Sequence, residues 1–334
     1  MNRIRTATLN TILLAAGLML ASVGVARSAD ASSLKLVRTI PLTGVEGKFD
    51  HLGLDAATNR LFIANKANNT LDIVDLKEGK LLKQIAGQKK ISGIAVASDL
   101  GLVAIGNGEG VCNVFAGPDF TLTHSLKFPK ADNVGYCPKT KLFYVEHAEN
   151  KLSVFDGKTG EVKAAIDLPG QPEGFEIDSA RGRLYICTQA PEQVAVIDMD
   201  KAEVIAKHPL TLAAKSATLA VDSKGQRIFV GCRTKPMIVV MDARTGKEMS
   251  SVEIPGDIDD LFFDAKRQRL YAICGEGSVG VVALKEKWEY ELVEKVSTGK
   301  LARTGLFDAA SDRLFVVVPR LSETEGPQLR VFKP

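Results

Sequence analysis

The chain is short of the residue types that define several protein classes. Its 334 residues include five cysteines, four histidines and one tryptophan. Five cysteines in a chain of this length do not form the dense disulfide framework of small secreted domains. The 43 basic and 40 acidic residues give a formal net charge of +3, which provides no strongly basic surface for a polyanion. With 45% hydrophobic and 25% charged residues, the composition excludes a disordered, collagenous or polytopic membrane chain.

Most catalytic and cofactor motifs are also missing. The sequence contains no C-x-x-C, H-E-x-x-H, P-loop or G-x-S-x-G motif, and no C-x-x-C-H for covalent haem attachment. One G-x-G-x-x-G motif occurs at Gly275, Gly277 and Gly280. A dinucleotide site needs this motif to open a helix, whereas here a strand-like run follows over residues 278–283. We interpret the motif as a hairpin turn and predict that no cofactor is required.

The first thirty residues have the pattern of a secretory signal peptide. Arg3 and Arg5 precede an apolar run over residues 11–26, and small residues surround a cleavage point near residues 26–28. The run is 16 residues long, which is shorter than the ~20 residues of a membrane-spanning helix. We therefore assign residues 1–28 to a cleaved signal and predict a periplasmic or secreted protein. No later segment is long and apolar enough to span a membrane.

A motif that recurs seven times organises the rest of the chain. In most copies a basic residue precedes a run of aliphatic and aromatic residues, and the first apolar residue of the run serves as an anchor. The anchors are Leu61, Leu102, Leu142, Leu184, Ile228, Leu270 and Leu314. Their spacings are 41, 40, 42, 44, 42 and 44 residues. Five copies place an Asp six residues before the anchor, where its carboxylate can accept backbone N–H bonds in a tight turn.

Each copy contains four short strand-like runs, which is the unit of a β-propeller blade. The seventh copy stops after its third run, whereas Leu34–Ile40 precedes the first copy. We predict that this N-terminal run supplies the missing fourth strand and closes the ring, which removes free sheet edges. The predicted fold is therefore all-β: a single seven-bladed β-propeller with four-stranded antiparallel blades over residues 34–334.

Three of the repeated runs resemble a known repeat. RLFIAN (60–65), RLYICT (183–188) and RIFVGC (227–232) are similar to the YVTN-type repeat of secreted bacterial β-propellers, the YncE-like group. The resemblance covers essentially the whole chain after the signal, and it implies the propeller fold without implying a chemistry. One relative in that group is associated with single-stranded DNA binding, which adds a third functional hypothesis. The near-neutral charge argues against nucleic acid as the partner.

The cysteines and the tryptophan are predicted to be structural. Cys187, Cys232 and Cys274 fall late in the second strands of different blades, where free cysteine behaves as a small buried hydrophobe. Cys112 and Cys137 come from adjoining runs and form the one pair that we consider for a disulfide. Trp288 is expected to pack at the rim of the sixth blade.

Polar and charged residues recur where the innermost strand of each predicted blade begins. These strand starts converge on the central axis at one mouth of a propeller, and function on such scaffolds usually lies in loops at one mouth. The candidate ligand-binding residues are Asp50, His51, Asp132, Asn133, Glu173, Asp259, Asp260, Arg303 and Thr304. Further residues expected at this mouth are Ser92, Ser216, Thr218, Glu146, His147, Arg233, Lys235 and Glu276.

Three interpretations of this mouth remain open. It can bind a small polar ligand or a protein partner, or it can line a water-filled channel with mutually paired charges, such as Arg303 with Asp259 or Asp260. It can also hold a divalent cation, calcium or a transition metal, because carboxylates with a histidine suit such ions. The candidate metal ligands are Asp132, Glu173, Asp259, Asp260 and His51.

These interpretations lead to different functions. The leading hypothesis is a monomeric, non-catalytic binding or interaction scaffold whose ligand or partner contacts the polar mouth. The alternative is a metal-assisted hydrolase, for example of lactones. There, a metal would polarise the carbonyl and activate water, with His51 or Glu173 as the base.

Overall fold

The computed structural model describes residues 34–43 and 47–334, and these residues form β-strands without helices. Accordingly, none of the described residues belongs to a helix that could cross a membrane. The predicted signal peptide and its cleavage point lie outside the described residues. The fold is therefore built from strands, hairpins and turns over the part of the chain that carries the repeats.

The strands form seven four-stranded antiparallel sheets, and each sheet is one blade. The first strand along the chain, β1 (Lys35–Pro41), belongs to the last blade. Blade 1 consists of β2 (Phe49–Asp55), β3 (Arg60–Asn65), β4 (Thr70–Asp75) and β5 (Lys80–Ile85). Blade 2 consists of β6 (Ile91–Ala97), β7 (Leu102–Asn107), β8 (Val111–Ala116) and β9 (Thr121–Lys127). Blade 3 consists of β10 (Val134–Cys137), β11 (Leu142–His147), β12 (Lys151–Asp156) and β13 (Val162–Asp167).

The remaining four blades follow the same order. Blade 4 consists of β14 (Gln171–Asp178), β15 (Arg183–Gln189), β16 (Gln193–Asp198) and β17 (Glu203–Pro209). Blade 5 consists of β18 (Ala214–Asp222), β19 (Arg227–Thr234), β20 (Met237–Asp242) and β21 (Glu248–Glu253). Blade 6 consists of β22 (Ile258–Asp264), β23 (Arg269–Cys274), β24 (Ser278–Glu286) and β25 (Glu289–Ser297). Blade 7 consists of β26 (Gly305–Asp308), β27 (Arg313–Val318), β28 (Gln328–Lys333) and β1.

The N-terminal strand closes the ring. β1 pairs antiparallel with β28, so that blade 7 has the order β1–β28–β27–β26. The innermost strands of successive blades contact one another, and β26 of the last blade contacts β2 of the first. Ile40 is 1% exposed and packs in a core shared by blades 7 and 1. The predicted all-β fold, its seven blades and its closure by the N-terminal strand are confirmed.

The hydrophobic core of the described residues is divided into seven clusters, one between each pair of neighbouring blades. Strand side chains alternate between two faces, so each blade contributes to two clusters. Between blades 2 and 3, for example, Phe143 and Phe155 stack with ring centroids 5.3 Å apart. This packing fixes the innermost strands, and therefore the strand starts that form the mouth.

Strand pairing corrects the repeat alignment in two blades. The hairpin between the first two strands pairs Asp55 with Arg60 in blade 1, Ala97 with Leu102 in blade 2 and Cys137 with Leu142 in blade 3. Leu102 and Leu142 therefore occupy the position of the basic residue. The predicted anchors in these blades are wrong by one residue, and the equivalents of Leu61 are Val103 and Phe143. The Asp of the turn and the paired Arg that mark the register elsewhere are absent from both copies.

The cysteines are buried and free, all five of them. Cys112 lies in the core between blades 2 and 3, whereas Cys137 lies between blades 3 and 4, so the disulfide considered for them is not formed. The glycine motif forms the tight hairpin between β23 and β24, where Gly277 has a φ of 119° that favours glycine. Trp288 precedes β25 and packs against the core between blades 5 and 6.

Candidate functional site

The register places the nine candidate ligand-binding residues at two successive repeat positions, among or just before the first few residues of each innermost strand. We call the first position the mouth ring. In blade order it holds Asp50, Ser92, Asp132, Glu173, Ala217, Asp259 and Arg303. The next position holds His51, Gly93, Asn133, Gly174, Thr218, Asp260 and Thr304. Side chains from non-adjacent blades therefore meet near the axis.

A histidine–carboxylate pair joins blade 1 to blade 6. His51 Nδ1 lies 3.1 Å from Asp260 Oδ1, and the Gly305 N–H donates to Asp260 Oδ2 at 2.8 Å. His51 Nε2 lies 3.7 Å from Asp50 Oδ1. Burial lowers the pKa of His51, but the charges of Asp260, Asp50 and Asp259 outweigh it and hold this pKa well above the usual 6.5. This raised pKa favours the protonated form of His51, which argues against it as the base of a hydrolase.

Two arginines converge on Asp259. Arg303 Nε lies 2.9 Å from Asp259 Oδ2, and the Arg233 guanidinium donates to Oδ1. Asp257 extends the cluster, 3.4 Å from the Arg303 guanidinium and 3.9 Å from Arg233 Nε. Burial raises the pKa of Asp259 to about 6 against the opposing positive charges of His51, Arg233 and Arg303. The pairing of Arg303 with Asp259 is thus one of the arrangements that the sequence left open.

Ser92 connects the acids of blades 1 and 3. Its hydroxyl lies 2.8 Å from Asp50 Oδ2 and also contacts Asp132 Oδ1. Lys66, in the loop between β3 and β4, pairs with Asp50. Burial raises the pKa of Asp50, but His51 and Lys66 together with hydrogen bonds outweigh it, so the pKa is lowered. A polar chain therefore runs from Lys66 through Asp50 and Ser92 to Asp132.

Blades 3 and 4 contribute carboxyl groups with raised pKa values. Asn133 Nδ2 donates to Glu146 Oε1 at 2.7 Å, and Glu146 is only 2% exposed. Glu146 Oε2 has no hydrogen-bond partner among the described residues. Burial, reinforced by Asp132, raises the pKa of Glu146 well above 4.5. Burial also raises the pKa of Glu173 to about 7, with Arg233 opposing the shift. Protons can therefore be exchanged on this side of the mouth near neutral pH.

Two of the predicted residues, Thr304 and His147, are buried within the fold. Thr304 is 2% exposed and lies behind the mouth ring. His147 is buried, with Nε2 2.9 Å from Ser153 Oγ and its ring 5.2 Å from that of Phe128. Among the loop residues, Glu276 accepts the Gly256 N–H at 2.7 Å.

The geometry gives the metal hypothesis little support. In residues 34–43 and 47–334, no group of three or more His, Cys, Asp or Glu side chains is arranged to hold a metal ion. Asp260 and Asp259, two of the proposed ligands, instead bind His51 and the two arginines. A divalent cation at the mouth stays an untested prediction.

Glu176 is a channel residue that the sequence analysis did not select. It lines the central channel, a cavity of about 330 Å³. Glu176 keeps solvent access through the channel, and partial desolvation by the channel wall, reinforced by Asp178, raises its pKa to about 7. In the other blades its repeat position holds Gly53, Ala95, Gly135, Ala220, Phe262 and Leu306. The sequence does mark Glu176, because a carboxyl stands at a repeat position that is small or apolar in the other blades. This contrast becomes visible only once the strands are aligned in the corrected register.

We expect Glu176→Gln to raise the melting temperature at pH 8 and to leave it unchanged at pH 4. A carboxyl with a raised pKa is protonated in the folded protein at pH 4, so it opposes folding only as pH rises from about 4.5 through about 7. Thermal unfolding at both pH values checks this. Glu78→Gln, at an exposed turn of blade 1, is the control. An equal gain at both pH values, or for the control, would contradict the assignment.

The fold and the mouth define a seven-bladed β-propeller with a charged central opening. Hydrazine synthase of Kuenenia stuttgartiensis contains a similar chain, with a TM-score of 0.69 over 82% of this chain and 94% of that chain. At 17% sequence identity this likeness shows the fold alone. No protein-family profile matches the chain.

Curated relatives carry the comparison further. "Uncharacterized protein YncE" of Salmonella typhimurium is 25% identical over 181 residues, and the protein of that name from Salmonella typhi is 24% identical over 181 residues. Each match covers 53% of this chain and 50% of the relative, so the chain spans about half the length of the curated relatives it matches. The chain is therefore similar to YncE over about half its length, and these matches agree with the resemblance seen in its repeats.

Proposed function

We propose that this propeller is a binding module, and that a small polar molecule or a side chain of a protein partner contacts its mouth ring. The observation that carries the proposal is the break in the repeat at that ring. The ring holds three aspartates, a glutamate, an arginine, a serine and an alanine at equivalent places. The position just before it is almost uniformly apolar: Phe49, Ile91, Ala131, Pro172, Ser216, Ile258 and Ala302. Packing between blades explains why the preceding position is apolar. It does not explain the charged and polar side chains of the mouth ring.

The energetics of burial support the same conclusion. Removing charged groups from water costs free energy that ion pairing often does not fully return. Asp50 is 5% exposed and Asp260 is 8% exposed, and Glu146 is buried with one unpartnered oxygen. A scaffold shaped by stability alone has no need of such groups. We further propose that the protein acts as a monomer in the periplasm or outside the cell, and that nucleic acid is not its partner.

The test is a thermal-shift screen of small polar compounds, with crosslinking capture of partners, on the wild-type protein and two variants. Arg303→Gln alters a mouth guanidinium whose side chain is 35% exposed. Lys139→Gln changes an exposed charge in the β10–β11 turn, at the other end of the innermost strands. We expect a ligand or partner whose affinity falls at least tenfold in Arg303→Gln and stays constant in Lys139→Gln.

Two results would overturn this proposal. One is a ligand or partner whose affinity no substitution in the mouth ring changes. The other is the absence of any ligand or partner across the screen. Glu173→Gln provides a second mouth variant, should Arg303→Gln fail to give wild-type circular dichroism.

A further inference from the structure

A cleft beside the mouth ring is lined by four lysines from blades 1 to 3. Its volume is about 490 Å³, and the lysines surround Ser92 and Asp132 of the ring. Lys48, Lys90 and Lys130 are exposed, whereas Lys66 is half-buried. We call this feature the lysine cleft. It lies across the mouth from the arginine pair of blades 5 and 7.

Three of these lysines occupy one repeat position, two residues before the mouth ring. In blade order this position holds Lys48, Lys90, Lys130, Gln171, Lys215, Asp257 and Leu301. Lys90 and Lys130 have φ values of 53° and 50°, in the left-handed region that favours glycine or asparagine. Backbone preference therefore does not explain lysine here. Gly108 leaves room for the lysine side chain, since a Cβ at Gly108 would lie 3.0 Å from the Lys90 Cβ.

The lysine cleft carries excess positive charge. Lys66 pairs with Asp50, and Ser92 links Asp50 to Asp132. Over the described residues, no carboxylate pairs with the other three lysines. Four lysines against two aspartates leave two positive charges uncompensated. By contrast, Asp257 and Asp259 already bind the arginines across the mouth.

We propose that the lysine cleft binds a small dianion, such as a phosphate monoester or a dicarboxylate. This inference rests on the proposed function, and it names the charge of the ligand. Ammonium groups on flexible stems can orient their donors around either kind of oxygen. A dianion matches the two uncompensated charges, and such complementarity gives selectivity against neutral and cationic molecules. The exposed carboxylate of Asp132 at the edge of the cleft repels a longer chain of negative charges.

The experiment is titration calorimetry with glycerol 3-phosphate and with succinate, using glycerol as the neutral probe. The variants are Lys90→Gln/Lys130→Gln and the control Lys215→Gln, which changes the same repeat position in blade 5. We expect one dianion per chain, an affinity at least tenfold lower in the double variant, and less than a twofold change in the control. The affinity should also fall between 20 and 150 mM salt, because exposed charges are screened over roughly 10 Å.

The outcomes separate this inference from the proposed function. Tighter binding of glycerol 3-phosphate or of succinate identifies the kind of dianion and supports the inference. Binding of neither dianion overturns it, as does equal binding by the double variant, or binding of a single-stranded oligonucleotide alone. A neutral ligand that depends on Arg303 would overturn the dianion and leave the proposed function standing. If no substitution in the mouth ring or in the lysine cleft affects any ligand, both fail.

Discussion

Replacing Leu34, Ile40 and Leu42 together with alanine should leave the propeller largely unfolded at 25 °C. These side chains are 4%, 1% and 1% exposed. Each such truncation in a packed core costs about 2–5 kcal/mol, because apolar contacts are lost and a cavity is left. The sum is comparable with the ~5–15 kcal/mol that stabilises a typical folded domain. Urea unfolding followed by far-UV circular dichroism measures the effect.

The same segment provides a matched control. Leu36 and Val37 lie on β1 but are 51% and 50% exposed. Replacing both with alanine should change the free energy of unfolding by no more than about 0.5 kcal/mol each, as at other exposed positions. If the triple variant unfolded at the urea midpoint of the wild type, closure by β1 would not hold the ring together.

Gly93→Ala should destabilise the protein by about 3 kcal/mol, although it adds one methyl group. A Cβ at this position would lie 2.3 Å from the carbonyl oxygen of Asp132 and 2.5 Å from the Val134 nitrogen, both in blade 3. The Gly93 N–H also donates to that carbonyl at 3.0 Å, so the two backbones cannot separate without losing the bond. Urea unfolding again gives the free energy. We also expect weaker binding in the lysine cleft, because Asp132 forms part of its wall.

The control for Gly93 is Gly326→Ala. The nearest atom to a Cβ at Gly326 is a side-chain nitrogen of Arg320 at 4.0 Å, so a methyl group fits there. This variant should stay within about 0.5 kcal/mol of the wild type. Equal stability of the two glycine variants would show that blades 2 and 3 do not meet as closely as described.

The sequence predicts the fold because its repeat combines two independent markers. An Asp at the turn and an apolar anchor recur together in five copies, and this fixes both the period and the strand order. Where Ala97 and Cys137 replace the Asp, only hydrophobicity remains, and a run such as LVAIG (102–106) fits two registers equally well. Strand pairing then decides the register. A one-residue slip reverses which side chains face each neighbouring blade.

The site is less accessible to sequence reasoning. The repeats show that the starts of the innermost strands carry unusual charge. Which acid binds His51 and which binds the arginines depends on distances across the axis, which no spacing encodes. The lysine cleft was missed because exposed lysines are common and become significant only when the fold brings several together. Glu176 can be recognised only with the correct register, which the repeats of blades 2 and 3 obscure because they lack the Asp and the Arg.

The most direct test of the binding mouth is a nuclear magnetic resonance titration of the isotope-labelled chain with small polar compounds. The readout is the backbone amides of the mouth ring and of the lysine cleft. We predict saturable shifts at Ser92, Gly93 and Asp132, extending to Arg303, with no change at Lys139. Shifts confined to the blade rims or to the opposite end would contradict the account, as would a mouth that no compound perturbs.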